Sequence, residues 1–475
     1  MPDSAGATKT CSGRWLHALL VLTLWLCAGT PDAQTPPPAE PPPYQPLRFN
    51  EDYRYLRDPA RRTDVWDSIK YVPLRGNGEW YLSLGGELRE RYEYFHHYLW
   101  GQGPQDPDGY LLQRYLLHAD VHLGERLRFF GQLKSGLESG RTGGPRPPDE
   151  DELDLHQAFV DVVVDPHLTL RAGRQELLFG SSRLVSVREG PNVRQSFDGL
   201  RLLFSAAPRH VDAFVTVPVK TKRHVFDDAS DDARLFWGLY AVGPLSVLPG
   251  GHVDLYYLGL SSTHAEFDQG AANELRHSVG TRLWGEPAPW DYNWEFVYQW
   301  GQFGSGAITA WTAASDTGYT LRSAPLQPRL GLKADIASGD RDPRRRGLQT
   351  FNALFPKGAY FNEASLIGPA NFFDVHPSLT LHLTEQVKVT ADWDFFWRAS
   401  VRDGVYGNAV NLVRSGQDSR ARYIGSAATV EAEWEASRHV TLTADYTHFL
   451  AGSFLRQSGP GHDVDFIATW VTYKF

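Results

Sequence analysis

The chain has 475 residues, a net charge of -9 and a mean hydropathy of -0.38. A bundle of membrane-spanning helices would be less polar, and beyond the N-terminus no apolar run approaches the roughly 20 residues that a spanning helix needs. Aromatic residues make up 13% of the chain and glycines number 44. Such a composition suits a membrane barrel, in which only one face of each strand is apolar.

Residues 1–33 are predicted to form a secretory signal peptide. Two basic residues precede an apolar stretch from Trp15 to about Ala28, and small residues follow it. Both cysteines of the chain, Cys11 and Cys27, fall inside this segment. The mature chain then contains no thiol, which excludes disulfides, zinc–thiolate sites and cysteine nucleophiles.

Residues 34–78 are predicted to form a periplasmic N-terminal segment. Seven prolines lie between residues 34 and 46. Such a stretch is stiff, extended and unable to pair as a central strand. We expect a spacer here, followed by a single β-barrel domain over residues 79–475.

Alternating strands recur along the rest of the chain. Apolar and charged side chains take opposite faces in the stretches 80–91, 126–134, 290–300, 329–336 and 388–397. An arginine or lysine at the middle of a bilayer costs roughly 2–4 kcal/mol, so the charged faces must point inward. We count about 18 strands, an even number as in single-chain bacterial barrels. The pattern predicts an all-β, transmembrane antiparallel barrel that is wide enough to enclose a polar channel.

The connections between the strands differ in length. With both termini in the periplasm, the connections after odd-numbered strands are extracellular, and these are the long ones: 138–152, 174–197, 338–375 and 398–422. The periplasmic turns are short, as at 165–167 and 435–439. One strand is irregular, because its alternation changes parity near Gln157, which predicts a β-bulge.

The predicted inward faces carry charges of both signs. Arginine forks match carboxylates and phosphates in two-point contacts, and a series of moderate contacts lets a solute enter and leave. The residues predicted to line the pore are Arg89, Arg91, Arg114, Arg128, Lys134, Arg171, Arg174, Arg194, Arg201, Arg276, Arg282, Arg329, Lys333, Lys388, Asp392 and Asp394. The alternative is that many of them form arginine–carboxylate pairs that brace the wall.

Two long connections have an unusual composition. The segment 173–199 concentrates arginines, which favours an inward-folded constriction over a solvated extracellular loop. The segment 338–377 is rich in phenylalanine and should pack against the barrel mouth or interior. Asp340 and Asp342 in this segment could ligate calcium, although their spacing is not that of a helix–loop–helix site.

The motifs of common enzyme classes are missing from the sequence. The chain has no G-x-S-x-G elbow, no H-E-x-x-H helix and no phosphate loop ending in G-K-[ST]. We therefore expect a protein that is not an enzyme, with no catalytic residues, no assigned metal site and no cofactor.

The last strand, 463–475, alternates and ends on Phe475. Ile467, Val471 and Tyr473 share its apolar face. Outer-membrane barrels of Gram-negative bacteria commonly end in this way, since the closing strand must pair with the first. The C-terminus therefore predicts a barrel in the outer membrane, surrounded by its lipid.

Several long motifs resemble the alginate export proteins of Gram-negative outer membranes. These motifs are EDYRYLRDPARRTDVWDSIKYVPL (51–74), GRQELLFG with NVRQSFDGLRL (173–180 and 192–202), WDYNWEFVYQWGQFG (290–304), PRLGLKADIASGDRDP (328–343), TFNALFPKGAYFNEASLIGPANFFDVHPSL (350–379) and DWDFFWRASVRDGVY (392–406). The resemblance covers most of the mature chain. It implies an 18-stranded barrel with an arginine-rich, electropositive pore for an anionic polysaccharide. It also implies that a long periplasmic turn late in the barrel helps to gate the pore, whereas the corresponding turn near Ser437 is short here.

The expected function is an anion-selective channel that passes a solute passively, with export of an alginate-like anionic polysaccharide as the main hypothesis. Uptake of small organic anions is the alternative in the same class. An outer-membrane hydrolase with its site at the rim, or an adhesive barrel closed by the loop at 338–375, are alternatives from other classes. A periplasmic export scaffold is among the expected partners, and nucleic acid is not.

Overall fold

The computed structural model describes residues 41–76 and 78–475, so the predicted signal peptide lies outside the described residues. Eighteen long strands, each antiparallel to its neighbours, form one closed barrel. The first strand pairs with both the second and the last, and Glu87 lies opposite Lys474 where the first and last strands meet. The prediction of an all-β antiparallel barrel of about 18 strands is confirmed.

The barrel strands follow one another around the ring in chain order. They are β1 (Trp80–His96), β2 (Tyr110–Leu123), β3 (Leu127–Ser139), β4 (Asp151–Asp165), β5 (Leu168–Gln175), β6 (Phe197–Ala206), β7 (Arg209–Lys220), β8 (Arg234–Pro244), β9 (Gly251–Phe267), β10 (Gly270–Gly285), β11 (Trp290–Phe303), β12 (Gly306–Thr320), β13 (Arg329–Ala337), β14 (Phe372–His382), β15 (Val387–Trp397), β16 (Tyr423–Glu435), β17 (Val440–Ala451) and β18 (Val464–Lys474).

The remaining elements are short. Helical segments cover Arg48–Asn50, Arg54–Arg57, Pro59–Arg61, Asp67–Lys70, Tyr98–Gly101 and Ser453–Ser458, and small strands cover Val72–Pro73, Ala229–Ser230, Val405–Tyr406 and Leu412–Arg414. None of the helices in the described part of the chain is long and apolar enough to cross a membrane.

The outer surface of the barrel is a belt of apolar side chains. Leu117 on β2, Leu330 on β13 and Val430 on β16 are 52%, 53% and 48% exposed. The charged residues next to them in sequence point the other way, because successive side chains of a strand alternate sides. Turning any strand over would place its charges in hydrocarbon. The apolar belt is therefore the face that meets lipid.

The predicted bulge lies in β4. Gln132 of β3 is opposite Gln157, but the next residue of β3, Leu133, is opposite Leu155. His156 is thus the extra residue, and the alternation of β4 changes parity there. The bulge turns both His156 and Gln157 away from lipid, and both side chains are fully buried.

Connections at the two ends of the barrel differ in length, as predicted. At the short-turn end, the turn between β16 and β17 covers only residues 436–439. At the long-loop end, four connections matter below: L3 (176–196), L4 (221–233), L7 (338–371) and L8 (398–422). The N-terminal segment (residues 41–79) lies at the short-turn end, where Arg438 donates a hydrogen bond to the carbonyl oxygen of Pro42 at 3.0 Å.

Candidate functional site in the barrel lumen

Apart from Arg174 and Arg194, the predicted pore residues lie on the inward face of the strands. Most of them are buried there and bound to carboxylates. Arg171 contacts Asp161 at 2.7 Å, and Arg201 contacts Asp212 at 3.0 Å. The same holds for Arg91 with Glu93, Arg114 with Glu87, Arg128 with Asp120, Lys134 with Asp151, Arg276 with Glu274, Arg282 with Asp254, Arg329 with Asp291 and Lys388 with Glu433. The structure thus favours the alternative in which these charges brace the wall.

Arg174 is the exception among the strand residues. It lies opposite Asp198 in the register of β5 and β6 and contacts that carboxylate at 2.8 Å. This pair shares its face with Leu200 and Leu202, which are 50% and 46% exposed. Because Arg171 points inward, a residue three positions later in the same strand points outward. The prediction that Arg174 lines the pore is wrong.

Loop L3 folds into the lumen, as predicted for the segment 173–199. Arg89 on β1 donates hydrogen bonds to the carbonyl oxygens of Glu189 and Pro191 at 3.0 and 3.1 Å. Arg114 on β2 also binds the Glu189 carboxylate. Arg194 within the loop contacts Glu176 at 2.8 Å. The arginines of this region therefore anchor the constriction to the wall.

Loop L7 also packs inside the barrel, and it pairs with L3. The backbone N–H of Phe355 donates to the carbonyl oxygen of Leu184 at 2.8 Å, and its carbonyl accepts from Ser186 at 2.9 Å. The Phe355 ring lies 5.0 Å from the rings of Phe197 and Phe236. The apolar composition of the loop is explained, because its rings cover inward-facing aromatic residues of the wall.

The N-terminal segment enters the lumen from the other end. Phe49 packs against the rings of Phe130 and Phe159 at 5.9 and 5.3 Å, and the Arg171 guanidinium lies 4.2 Å from its centre. Arg194 of L3 donates to the carbonyl oxygen of Pro46 at 3.0 Å. The described part of this segment is therefore not a free spacer, because residues 46–49 bridge the wall and the constriction.

Arg48 holds the N-terminal segment at the seam of the barrel. Its guanidinium donates to the carbonyl oxygens of Gly86 on β1 and of Phe475 after β18, both at 2.8 Å. Its Nε contacts Glu51 at 2.6 Å, so the charge of this buried side chain is compensated. One arginine thus joins the segment to the first and the last strand.

A cavity of about 80 Å³ remains between L3, L7 and the wall of β11 to β14. Its lining includes Arg183 of L3, Lys333 of β13 and Lys357 of L7. Arg183 lies within 4 Å of two carboxylates, Glu295 and Asp335. Neither lysine ammonium has a carboxylate oxygen within 4 Å among the described residues. Lys333 was predicted from its strand, whereas Lys357 was missed, since a lone loop lysine gives no periodic signal.

Burial affects the charge of Lys357. Desolvation among the packed loops, together with the charges of Lys333 and Arg183, lowers the pKa of Lys357 to about 8. An anion in the cavity would favour the protonated ammonium. In this cavity the two lysines face open space, with Asp316, Asp335 and Asp374 also in the lining.

The proposed calcium ligands of L7 serve other contacts. The backbone N–H of Asp340 donates to Asp403 of L8 at 2.7 Å, and the Asp342 carboxylate contacts Arg345 at 3.4 Å. Neither belongs to the clusters of three or more metal-ligating side chains found in the described residues. Desolvation raises the pKa of the Asp403 carboxyl to about 6. Asp340 and Asp403 thus join L7 to L8, whereas the Asp342 contact stays within L7.

The family model for alginate export matches residues 80–467 of the chain. Among curated protein sequences, none matches this one significantly. OccK8 (OprE) of Pseudomonas aeruginosa superposes with a TM-score of 0.56 at 13% identity, covering 83% of this chain and 98% of that chain. A BenF-like porin from Pseudomonas fluorescens Pf-5 gives 0.57 at 10% identity, with 83% and 98% covered. OccK2 (OpdF) of Pseudomonas aeruginosa, solved in complex with glucuronate, gives 0.53 at 11% identity, with 82% and 98% covered.

At these identities the solved structures establish the fold. The family match is of a different kind, because it spans most of the sequence and includes the strands and loops that build the lumen. The molecule has the β-barrel fold of these outer-membrane porins. On the strength of that match, the chain belongs to the alginate export family.

Proposed function

We propose that this barrel passes an anionic solute by passive diffusion, and that its cargo is an exported alginate-like polysaccharide of uronic acids. Such a polymer carries one carboxylate on each sugar, and ammonium and guanidinium groups bind carboxylates through charge-assisted hydrogen bonds. The family assignment supports this cargo. The transport involves no covalent chemistry.

One observation carries the proposal: the lumen cavity presents two lysines whose ammonium groups have no carboxylate oxygen within 4 Å among the described residues. The arginines of the wall are committed to structural ion pairs, so they contribute little to solute binding. Lys333 and Lys357, with Arg183 beside them, lie where the constriction loops leave space. A few such contacts of moderate strength let a charged solute enter and also leave.

Uptake of small organic anions is the second candidate, and the size of the cavity favours it. A volume of about 80 Å³ suits a small acid better than a polymer in the conformation described. OccK2, which shares the fold, was solved with glucuronate, a single uronate sugar. Both candidates need the same cationic cavity, and they differ in whether the loops and the N-terminal segment open wide enough for a chain.

The first test is block of the channel by polymer in planar bilayers. We expect polyuronate to block an anion-selective current, and the variant Lys333→Gln/Lys357→Gln to need about ten-fold more polymer or more, since a hydrogen bond to a charged group contributes about 1.5–3 kcal/mol. The control Lys222→Gln removes an exposed lysine of L4 and should leave block unchanged. Permeation by small uronates without polymer block would favour uptake. If Lys333→Gln/Lys357→Gln and the control Lys222→Gln are blocked at the same polymer concentration, the cavity has no role in binding the polymer.

The second test is the pH dependence of the same block. Because the pKa of Lys357 is about 8, its ammonium is mostly charged at pH 7 and mostly neutral at pH 9. We expect block by polyuronate to weaken over this range in the native protein. Lys357→Arg should bind through the whole range, since arginine stays protonated. An identical pH profile for the two proteins would assign the titration to another group.

A further inference from the structure

Two clusters of acidic side chains in the described part of the barrel and its loops differ in how their charge is compensated. The first consists of Asp151, Asp154 and Asp228. The Lys134 ammonium lies between two of these residues, 2.7 Å from both Asp151 and Asp228. This cluster already contains its cation, and it needs no other.

The second cluster, Asp374 and His376 of β14 with Asp394 of β15, lacks such a cation. Its ligand atoms lie within 4.8 Å of one another. The three residues are 3%, 2% and 0% exposed. Among the described residues, no lysine or arginine nitrogen comes within 4 Å of either carboxylate. Asp374 accepts a hydrogen bond from the backbone N–H of Asp335, and Asp394 faces His376. The imidazole supplies at most one positive charge to the two buried carboxylates, so a further positive charge would stabilise the arrangement.

Unused hydrogen-bonding atoms point to the same conclusion. Neither carboxylate oxygen of the fully buried Asp394 accepts a hydrogen bond from the described residues, and Nε2 of His376 makes none either. The Asp394 Oδ2 atom lies 3.1 Å from Nδ1 of His376, an ion-pair distance. Atoms bound to one metal ion at about 2.0–2.2 Å lie at comparable distances from each other. A buried carboxylate and a buried imidazole thus face each other at a distance that also fits two ligands of one metal ion.

A third aspartate approaches the other side of the imidazole. Oδ1 of Asp392 lies 3.0 Å from Nε2 of His376. Histidines that ligate metals commonly present their second nitrogen to a carboxylate, which fixes the ring and raises its basicity. Asp392 therefore acts as a positioning residue, while Nδ1 faces Asp394.

We propose that Asp374, His376 and Asp394 form a site for a divalent transition metal ion of the zinc class. Zinc takes histidine nitrogen and carboxylate oxygen together, whereas calcium and magnesium prefer oxygen alone. Three protein ligands leave a coordination position free. Asp374 and His376 also line the cavity of Lys333 and Lys357, so the open position faces the lumen.

The test is zinc binding by the purified barrel in detergent, measured by calorimetry and by metal analysis after dialysis, with no solute present. We expect the native protein to hold one zinc ion that His376→Ala loses, and Asp392→Asn to weaken binding about 10–100-fold, the usual effect of such an orienting carboxylate. Asp228→Asn, in the cluster that holds Lys134, should bind zinc like the native protein.

The outcomes separate this proposal from the transport proposal, which rests on polymer block. Heat-modifiable migration on gels reports whether each variant is folded. If His376→Ala does not fold, Asp392→Asn decides, because it removes only the orienting contact. Zinc bound equally by the native protein and the folded variants, or no zinc bound by the native protein, would overturn the site. Either result would mean that a protonated His376, placed between Asp392 and Asp394, compensates the negative charge of the cluster without a metal ion.

Discussion

Deletion of residues 41–51 should raise the single-channel conductance of the barrel several-fold. These residues carry Phe49 into the lumen and connect the wall to L3 through the contact of Arg194 with Pro46. Leu47 and Phe49 are 7% and 4% exposed, and burying each side chain contributes about 1.5–3 kcal/mol. Removing the segment frees that space for water and ions.

The barrel itself should survive this deletion. Gly86 and Phe475 exchange two backbone hydrogen bonds of 2.9 and 3.1 Å, which do not depend on the segment. The matched control is Asp52→Ala/Arg54→Ala, because this pair lies just beyond the deleted residues with side chains 52% and 71% exposed. Conductance is measured in planar bilayers for both proteins. A deletion variant that conducts like the control would show that the segment does not limit flow.

Replacement of Arg114 by methionine should give the largest loss of stability. Its guanidinium compensates the buried Glu87 at 2.7 Å and also holds the Glu189 carboxylate of L3. Removing one partner of a buried ion pair costs about 3–5 kcal/mol, because the other charge remains in the interior. We also expect L3 to detach from β2, which would appear as increased current noise.

Two further variants isolate the cause. Arg54→Met removes an arginine that is 71% exposed and pairs with Asp52, itself 52% exposed, and such a surface pair contributes about 0–1 kcal/mol. Arg114→Met/Glu87→Leu removes both buried charges and should recover much of the lost stability. The thermal midpoint of the heat-modifiable gel shift measures all three proteins. If Arg114→Met and Arg54→Met unfold at the same temperature, the buried pair is not the anchor that we describe.

The wall of the barrel could be predicted from sequence because alternation is a local signal. Leu330 and Lys333 are three positions apart in one strand, so they must lie on opposite faces of the sheet. The bulge near Gln157 is visible in the sequence because the alternation of apolar and polar residues is interrupted there. The inward position of L3 and L7 followed from composition, since phenylalanines such as Phe355 need an apolar partner. Which partner they find, Phe236 in this case, depends on strands more than a hundred residues away.

The state of the lumen charges could not be predicted in the same way. Alternation places Arg201 on the inward face, but its pairing with Asp212 depends on the register between β6 and β7. The outward position of Arg174 could not be predicted, because the sequence analysis assigned residue 174 to a loop, whereas β5 extends to Gln175. The entry of Phe49 into the lumen had no periodic signal, because it follows a proline-rich stretch and contacts residues on three distant strands.

The bridge that Arg48 makes has a consequence for biogenesis. Its two acceptors, the carbonyls of Gly86 and Phe475, come from opposite ends of the barrel sequence. These two carbonyls become neighbours only when the last strand, β18, pairs with β1. Arg48 can therefore bind both of them only after the barrel has closed. The complete bridge requires a closed barrel, and we expect a chain truncated at the C-terminus to lose both the closing strand pair and half of the Arg48 bridge.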